Sequence, residues 1–255
     1  MNIDKSLILF FIILLVALAF SLIDYSPKSP VSIASWNLNV FGDKKAGNET
    51  IMLQYQEIIS QFDIVFLQEL RDADGSALAR LCELFNESYN CFNSSRAGTT
   101  SSKEQYYLLY SKEFTLINYT DYNLENITGF ERPPIKLDFN YNNINFTIYG
   151  IHVKPDNAYS EISNLEALIA NEGNIIVLGD LNADCAYYKR GNDFKDWHWA
   201  INEDTTVSSS DCTYDNIMTN QEFYNYFIQS GVYSINITKE LSDHYLIYSI
   251  FDLTE

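Results

Sequence analysis

The sequence predicts an α/β (α+β) four-layer sandwich, two packed mixed β-sheets flanked by helices. Three observations predict it. Short apolar, β-branched runs alternate with stretches that carry apolar residues at helical spacing. Helical stretches stand between some strands and are absent between others, and Asn142-Asn143 between Phe139 and Ile144 is a hairpin signal, so the sheets are mixed. The chain has 255 residues, 47% of them hydrophobic and 20% charged, room for a full core. Two sheets with helices outside suit that length better than one doubly wound sheet.

From the amino terminus, Leu7 to Ile23 is apolar apart from Ser21, with Lys5 ahead of it. The run is at the short limit for a membrane span and slightly long for a signal-peptide core. Residues 1–23 therefore read as a signal peptide or an N-terminal membrane anchor, and either sends the remainder out of the cytoplasm. Residues 24–30, with Pro27 and Pro30, read as a linker, and 31–255 as one domain. Within it, Val31–Asn37 opens as a strand. Glu49–Phe62 carries Ile51, Tyr55, Ile58, Ile59 and Phe62 on one helical face. The strand Ile64–Leu67 and the helix Ser76–Phe85 follow. Tyr106–Tyr110, Ile135–Phe139 and Phe146–Ile151 read as strands, Tyr159–Glu172 as a helix, and Ile175–Leu178, Asp215–Met218 and Tyr245–Phe251 as the last strands.

The formal net charge is -18, which repels nucleic acid unless a local basic patch or bound cations reverse the field. It counts against a tight, static DNA binder and leaves room for an enzyme that meets a polyanion transiently. The four cysteines, Cys82, Cys91, Cys185 and Cys212, form no close C-x-x-C pair, so a zinc site is not expected. An even count behind an export signal suggests two disulfides. Three connectivities are open; Cys82–Cys91 is the local one, and Cys185–Cys212 would tie two site-bearing loops. Seven Asn-x-Ser/Thr sequons, at Asn48, Asn86, Asn93, Asn118, Asn126, Asn145 and Asn236, fit export to a glycosylating compartment.

The chemistry gathers at strand ends. Ile175–Leu178 delivers Gly179-Asp180-Leu181-Asn182, and residues two apart on extended backbone share a face. A carboxylate beside a neutral amide suits a site that holds a divalent metal and a phosphate together. Glu69 follows Ile64-Val65-Phe66-Leu67-Gln68, and Asp243-His244 lies in Leu241-Ser242-Asp243-His244-Tyr245. Three such motifs point to metal-dependent phosphodiester cleavage. Of the three histidines, His152 and His244 follow apolar strands and precede turn residues; His198, in Trp197-His198-Trp199, matches no motif and reads as structural.

With these motifs the chain resembles the DNase I-like branch of the endonuclease/exonuclease/phosphatase superfamily, from about Ile33 to Phe251. The resemblance rests on Trp36-Asn37-Leu38-Asn39-Val40-Phe41-Gly42, Gln68-Glu69-Leu70-Arg71-Asp72, Ser102-Lys103-Glu104-Gln105-Tyr106, Arg132-Pro133 and Gly150-Ile151-His152. It continues through Gly179-Asp180-Leu181-Asn182-Ala183-Asp184-Cys185, Cys212-Thr213-Tyr214-Asp215 and Ser242-Asp243-His244-Tyr245. It implies that Glu69 is the main metal carboxylate, with Asn37 and Asp243 beside it, and that Asp180 and Asn182 grip the scissile phosphate, directly or through a second metal. His152, paired with Glu104, and His244, paired with Asp215, would flank that phosphate as general base and general acid. A carboxylate on the second ring nitrogen fixes the tautomer and raises basicity. Arg71 and Arg132 would contact substrate. Cys185 and Cys212 occupy positions bonded in the family, and the local pair Cys82–Cys91 is expected beside them. Asp204, Thr206, Ser208 and Ser210 resemble a structural calcium loop. The implied cofactors are Mg²⁺ (or Mn²⁺) and Ca²⁺, the implied partner is DNA, and no obligate protein partner is expected.

Three departures stand out. The segment Asn123–Phe130, where the family has a second calcium region, is short and lacks a small disulfide. Asn39 stands where a minor-groove arginine is expected, and Ser102 where a groove-inserting tyrosine is expected. The expected function is a secreted or surface-anchored endonuclease leaving 5′-phosphate ends. Alternatives are a same-fold phosphodiesterase for lipids, nucleotides or abasic DNA, and a non-catalytic surface binding module.

Overall fold

The computed structural model describes residues 30–99, 101–170 and 172–254; the signal or anchor segment and most of the linker lie outside the described residues. Among the described residues, twelve strands form two six-stranded sheets. In chain order the elements are β1 (Val31–Phe41), α1 (Asp43–Ala46), α2 (Glu49–Ile59), β2 (Ile64–Leu70), α3 (Ser76–Glu83), β3 (Tyr89–Asn93), β4 (Gln105–Ser111), β5 (Thr115–Asp121), β6 (Ile135–Tyr141) and β7 (Ile144–Gly150). Then come α4 (Ala158–Leu168), β8 (Ile175–Asp180), β9 (His198–Trp199), β10 (Asp215–Thr219), α5 (Gln221–Tyr224), β11 (Phe227–Tyr233) and β12 (Leu246–Phe251).

The first sheet runs β11-β12-β1-β2-β4-β3 and the second β5-β6-β7-β8-β10-β9. Each holds one parallel pair, β1 with β2 and β7 with β8, among antiparallel neighbours. The sheets are mixed, as expected. The hairpin at Asn142-Asn143 is present, with Tyr141 opposite Ile144 and both asparagines at positive φ, 51° and 67°. That is what a tight two-residue β-turn demands and asparagine tolerates.

Three apolar layers hold the sandwich. Ile33, Ile64, Phe66, Leu108 and Phe251 of the first sheet pack on Leu137, Phe139, Ile148, Ile176 and Ile217 of the second. The outer face of the first sheet buries Trp36, Val65 and Leu67 under Tyr55, Ile59 and Leu81 of α2 and α3. On the far side, Ile162 and Leu165 of α4 cover Tyr149, Val177 and Met218. The sheets approach closely at Gly150, where a Cβ would lie 2.3 Å from the Phe66 ring. Both disulfides form, Cys82–Cys91 and Cys185–Cys212.

Differences from expectation lie at margins. The helix expected over Glu49–Phe62 stops at Ile59, and that over Tyr159–Glu172 stops at Leu168, where Ile169 turns extended. Strands β3, β5, β9 and β11 were not expected. All four are sheet edges, where little side-chain surface is buried and the apolar pattern fades.

Candidate active site

The site lies where strand ends of the two sheets meet. Both β1 and β2 bulge on reaching it: after Asn37 opposite Gln68, the next matched pair is Phe41 with Leu70. Asn39, Val40 and Glu69 take positive φ, 45°, 61° and 60°. A bulge bends the strand and re-aims a side chain, and a β-branched valine at positive φ stores strain. Local bonds hold this turn. The Asn39 amide donates to Asn37 Oδ1 at 2.9 Å and the Val40 amide to Glu69 Oε2 at 3.1 Å. Lys45 Nζ donates to the carbonyls of Leu38, Asn39 and Leu241 at 2.6 to 2.7 Å. Burial lowers its pKa to about 8.

Asp180, at the tip of β8 and 2% exposed, is the centre. His152 Nε2 stands 3.5 Å and His244 Nε2 3.6 Å from the same Oδ2. Each imidazole is held from behind: His152 Nδ1 by Glu104 Oε1 at 2.8 Å, His244 Nδ1 by Asp215 Oδ2 at 2.7 Å. Asn37 Nδ2 reaches Asp180 Oδ2 at 3.1 Å and Glu69 Oε1 at 3.3 Å. The Asn182 amide nitrogen donates to Asp180 Oδ1 at 3.0 Å, and its side-chain Nδ2 to the Val153 carbonyl at 3.0 Å. Asp243 lies at the rim, its side chain 54% exposed and Oδ1 4.0 Å from His244 Nε2.

His244 is seated by the first sheet. Its carbonyl accepts from Trp36 Nε1 at 2.9 Å, and the Ser242 hydroxyl bridges its amide (2.9 Å) and the Asn37 carbonyl (2.5 Å). Burial alone would lower the His244 pKa, but the carboxylates of Asp215 and Asp180 outweigh it and push it up to about 10. At neutral pH the ring therefore carries a proton. Burial would raise the Glu104 pKa, yet His152, Arg132 and Arg71 hold it below the usual range. Burial opposes the Asp180 charge too, and the two imidazoles overcome it.

The arginines join this lattice. Arg132 Nε meets Glu104 Oε1 at 2.7 Å; Arg71 Nη2 meets Glu69 Oε2 at 3.2 Å, with its Nε 3.7 Å from Glu104 Oε2. Asn39 and Ser102 are both at the surface, Asn39 half-buried and Ser102 exposed. Glu69 and Asp180 are close enough to share one amide group of Asn37, two hard oxygen donors whose mutual repulsion a divalent cation would relieve. These residues fit such an ion.

In the Ser/Thr loop, Asp204 Oδ1 accepts from the Thr206 amide (2.9 Å), the Thr206 hydroxyl (2.8 Å) and the Cys212 amide (3.2 Å). The hydroxyls of Thr206, Ser208 and Ser210 touch one another. Four oxygen-bearing side chains converge, a donor set that suits calcium.

Other residues of the site escaped the sequence reading. The Tyr214 ring lies 6.4 Å from that of His244, and Tyr187 stands 5.7 Å beyond it, forming an aromatic wall. Asp72 lies in a quoted motif, but its work is local: Oδ2 caps α3 through the amides of Ala77 and Leu78. His198 packs on Tyr224 and Phe227, as a structural histidine would.

Residues 34–244 match the model of the Endonuclease/Exonuclease/phosphatase family. Deoxyribonuclease-1 of Gallus gallus is 30% identical over 241 residues, which cover 82% of this chain and 83% of that protein. Deoxyribonuclease gamma of Rattus norvegicus is 30% identical over 247 residues, 83% of this chain and 78% of its own. Among solved structures, an endonuclease/exonuclease/phosphatase from Bacteroides vulgatus superposes with a TM-score of 0.66 at 16% identity, covering 89% of this chain and 100% of that one. That likeness is one of fold.

Proposed function

The chain belongs to the endonuclease/exonuclease/phosphatase family, and we propose that it is a divalent-metal-dependent endonuclease that hydrolyses DNA outside the cytoplasm and leaves 5′-phosphate ends. The carrying observation is that two imidazoles, each backed by a buried carboxylate, converge on one oxygen of Asp180. The names of the deoxyribonuclease relatives support DNA as substrate, and the two disulfides suit an oxidising compartment.

The scissile phosphate sits between His152 and His244, beside Asp180 and Asn182. His152, oriented by Glu104, takes a proton from water as its oxygen bonds to phosphorus. The bond from phosphorus to the 3′ oxygen breaks, and His244, protonated at neutral pH, gives its proton to that oxygen. The downstream fragment keeps the phosphate on its 5′ oxygen. Arg132 and Arg71 offer positive charge on the Glu104 side. Glu69, Asn37 and Asp243 would hold Mg²⁺ or Mn²⁺, with Asp180 and Asn182 in reach of a second ion; a divalent ion there neutralises charge that builds on the phosphate. Asp204, Thr206, Ser208 and Ser210 would hold Ca²⁺.

Asn39 and Ser102, both short polar side chains beside the site, favour a second reading in which the best substrate is a phosphodiester other than duplex DNA. One panel separates the two: the soluble domain on duplex DNA, single strands, RNA and bis-p-nitrophenyl phosphate, with and without EDTA. Duplex cleavage that EDTA abolishes, with 5′-phosphate ends, is the expected result. Undiminished hydrolysis after thorough chelation sinks the metal role, and 3′-phosphate ends sink the proposed direction of attack.

A further inference from the structure

Two buried side chains that the proposed chemistry does not use grip the same pair of loops. Glu161, on α4 and 1% exposed, accepts the Glu131 amide on Oε1 at 3.0 Å and the Lys154 amide on Oε2 at 3.1 Å. Those amides belong to the residue before Arg132 and the residue two after His152. Tyr106, on β4 and 4% exposed, works from the other side: its hydroxyl donates to the Arg132 carbonyl at 3.1 Å and accepts the His152 amide at 3.1 Å. Between them, Arg132 Nε donates to the His152 carbonyl at 2.9 Å. One turn along α4, Asn164 Nδ2 holds the Gly129 carbonyl at 2.9 Å.

We infer that Glu161 and Tyr106 are positioning residues, a two-sided buried clamp that fixes His152 and Arg132 relative to Glu104. Tyr106 reaches across the inter-sheet core from the strand that begins just after Glu104, while Glu161 comes from the outer helix of the other sheet. Because Glu104 and His152 ride on different sheets, their 2.8 Å contact needs such cross-bracing. Removing either acceptor leaves buried amides without partners. The loops then shift, and small displacements of a reacting group cost rate steeply.

The inference rests on the proposed role of His152, so its test has one arm that needs no activity. Glu161→Gln keeps the shape of the side chain and one acceptor oxygen; Tyr106→Phe removes a single hydroxyl. With only three histidines in the chain, the imidazole nitrogens of His152, His198 and His244 can be resolved by NMR. In both variants the His152 resonances should move while those of His244 stay. On bis-p-nitrophenyl phosphate, kcat should fall about 10-fold or more with KM within about 2-fold, and Glu161→Asp, which restores a carboxylate, should recover part of the loss. If Glu161→Gln does not fold, Tyr106→Phe decides. Unmoved His152 resonances in the folded variants overturn the clamp. Moved resonances with unchanged kcat would overturn the role of His152 in the reaction instead.

Discussion

Thr206 and His244 face each other in an isolated antiparallel bridge. The Val207 amide donates to the Asp243 carbonyl at 2.7 Å and the Tyr245 amide to the Thr205 carbonyl at 2.8 Å. The Ser/Thr loop thus forms the backbone template on which His244 is held.

Asp204→Ala should therefore act on stability and rate together. Its carboxylate accepts three hydrogen bonds, and the loss should cost roughly 2 kcal/mol, about 4 to 8 °C in Tm for a domain of this size. Calcium should raise the Tm of the wild type and leave that of the variant unmoved. Equal calcium shifts by scanning calorimetry would take the ion away from this loop.

His152→Ala and His244→Ala should each lower kcat by at least about 10²-fold, the scale of general acid–base groups, without loss of fold by circular dichroism. A folded double variant with near wild-type activity would remove both from the reaction.

His244 also ties stability to pH. Its folded pKa of about 10 lies above the ordinary 6.5, so its contribution is complete below about pH 6.5 and is lost as pH rises towards 10. In chelated protein the wild-type Tm should fall across that window more steeply than the Tm of His244→Gln. Parallel Tm profiles would show that the carboxylates do not hold the proton there.

The bond between Cys185 and Cys212 spans 27 positions and closes the segment that bears the Asp204 loop. Replacing both cysteines by serine should cost roughly 3 kcal/mol, read as a lower urea midpoint with a somewhat steeper slope, because the released unfolded chain exposes more surface. An unchanged midpoint would mean that the loop closes as readily without the bond.

Duplex DNA should bind weakly and with steep salt dependence, since the net charge is -18 and phosphate contacts carry the affinity. Asn39→Arg should tighten duplex KM more than the KM for bis-p-nitrophenyl phosphate. It should also lower Tm slightly, because position 39 sits at φ 45°, where asparagine is tolerated better than arginine. A duplex KM indifferent to salt would contradict this account.

What the sequence made legible follows burial. Strands such as β2 and β8, buried along their length, were readable as apolar runs. Thr115–Asp121 was not, because Ile117, Asn118 and Tyr119 of that edge strand are exposed and alternate with nothing. The convergence of Glu69, Asp180, His152 and His244 could be expected because strand ends deliver them. Lys45, Glu161 and Tyr106 could not, since each acts on backbone groups of segments distant along the chain, and no local spacing encodes that. The bulges at Asn39–Val40 and Glu69 were hidden for a different reason: neither stretch holds a glycine to announce positive φ.

The order of strands has a consequence for the chain during its synthesis. The second sheet is built from the continuous stretch 115–219, whereas β1 lies between β2 and β12, the first and last strands of the domain lying side by side. The Trp36 indole finds its acceptor, the His244 carbonyl, and the Asn37 carbonyl its donor, the Ser242 hydroxyl, only when residues some two hundred positions later arrive. A chain that stops short of residue 242 holds every strand of the second sheet yet lacks His244. The convergence of His152 and His244 on Asp180 comes into being only as the last segment of the chain docks against the first.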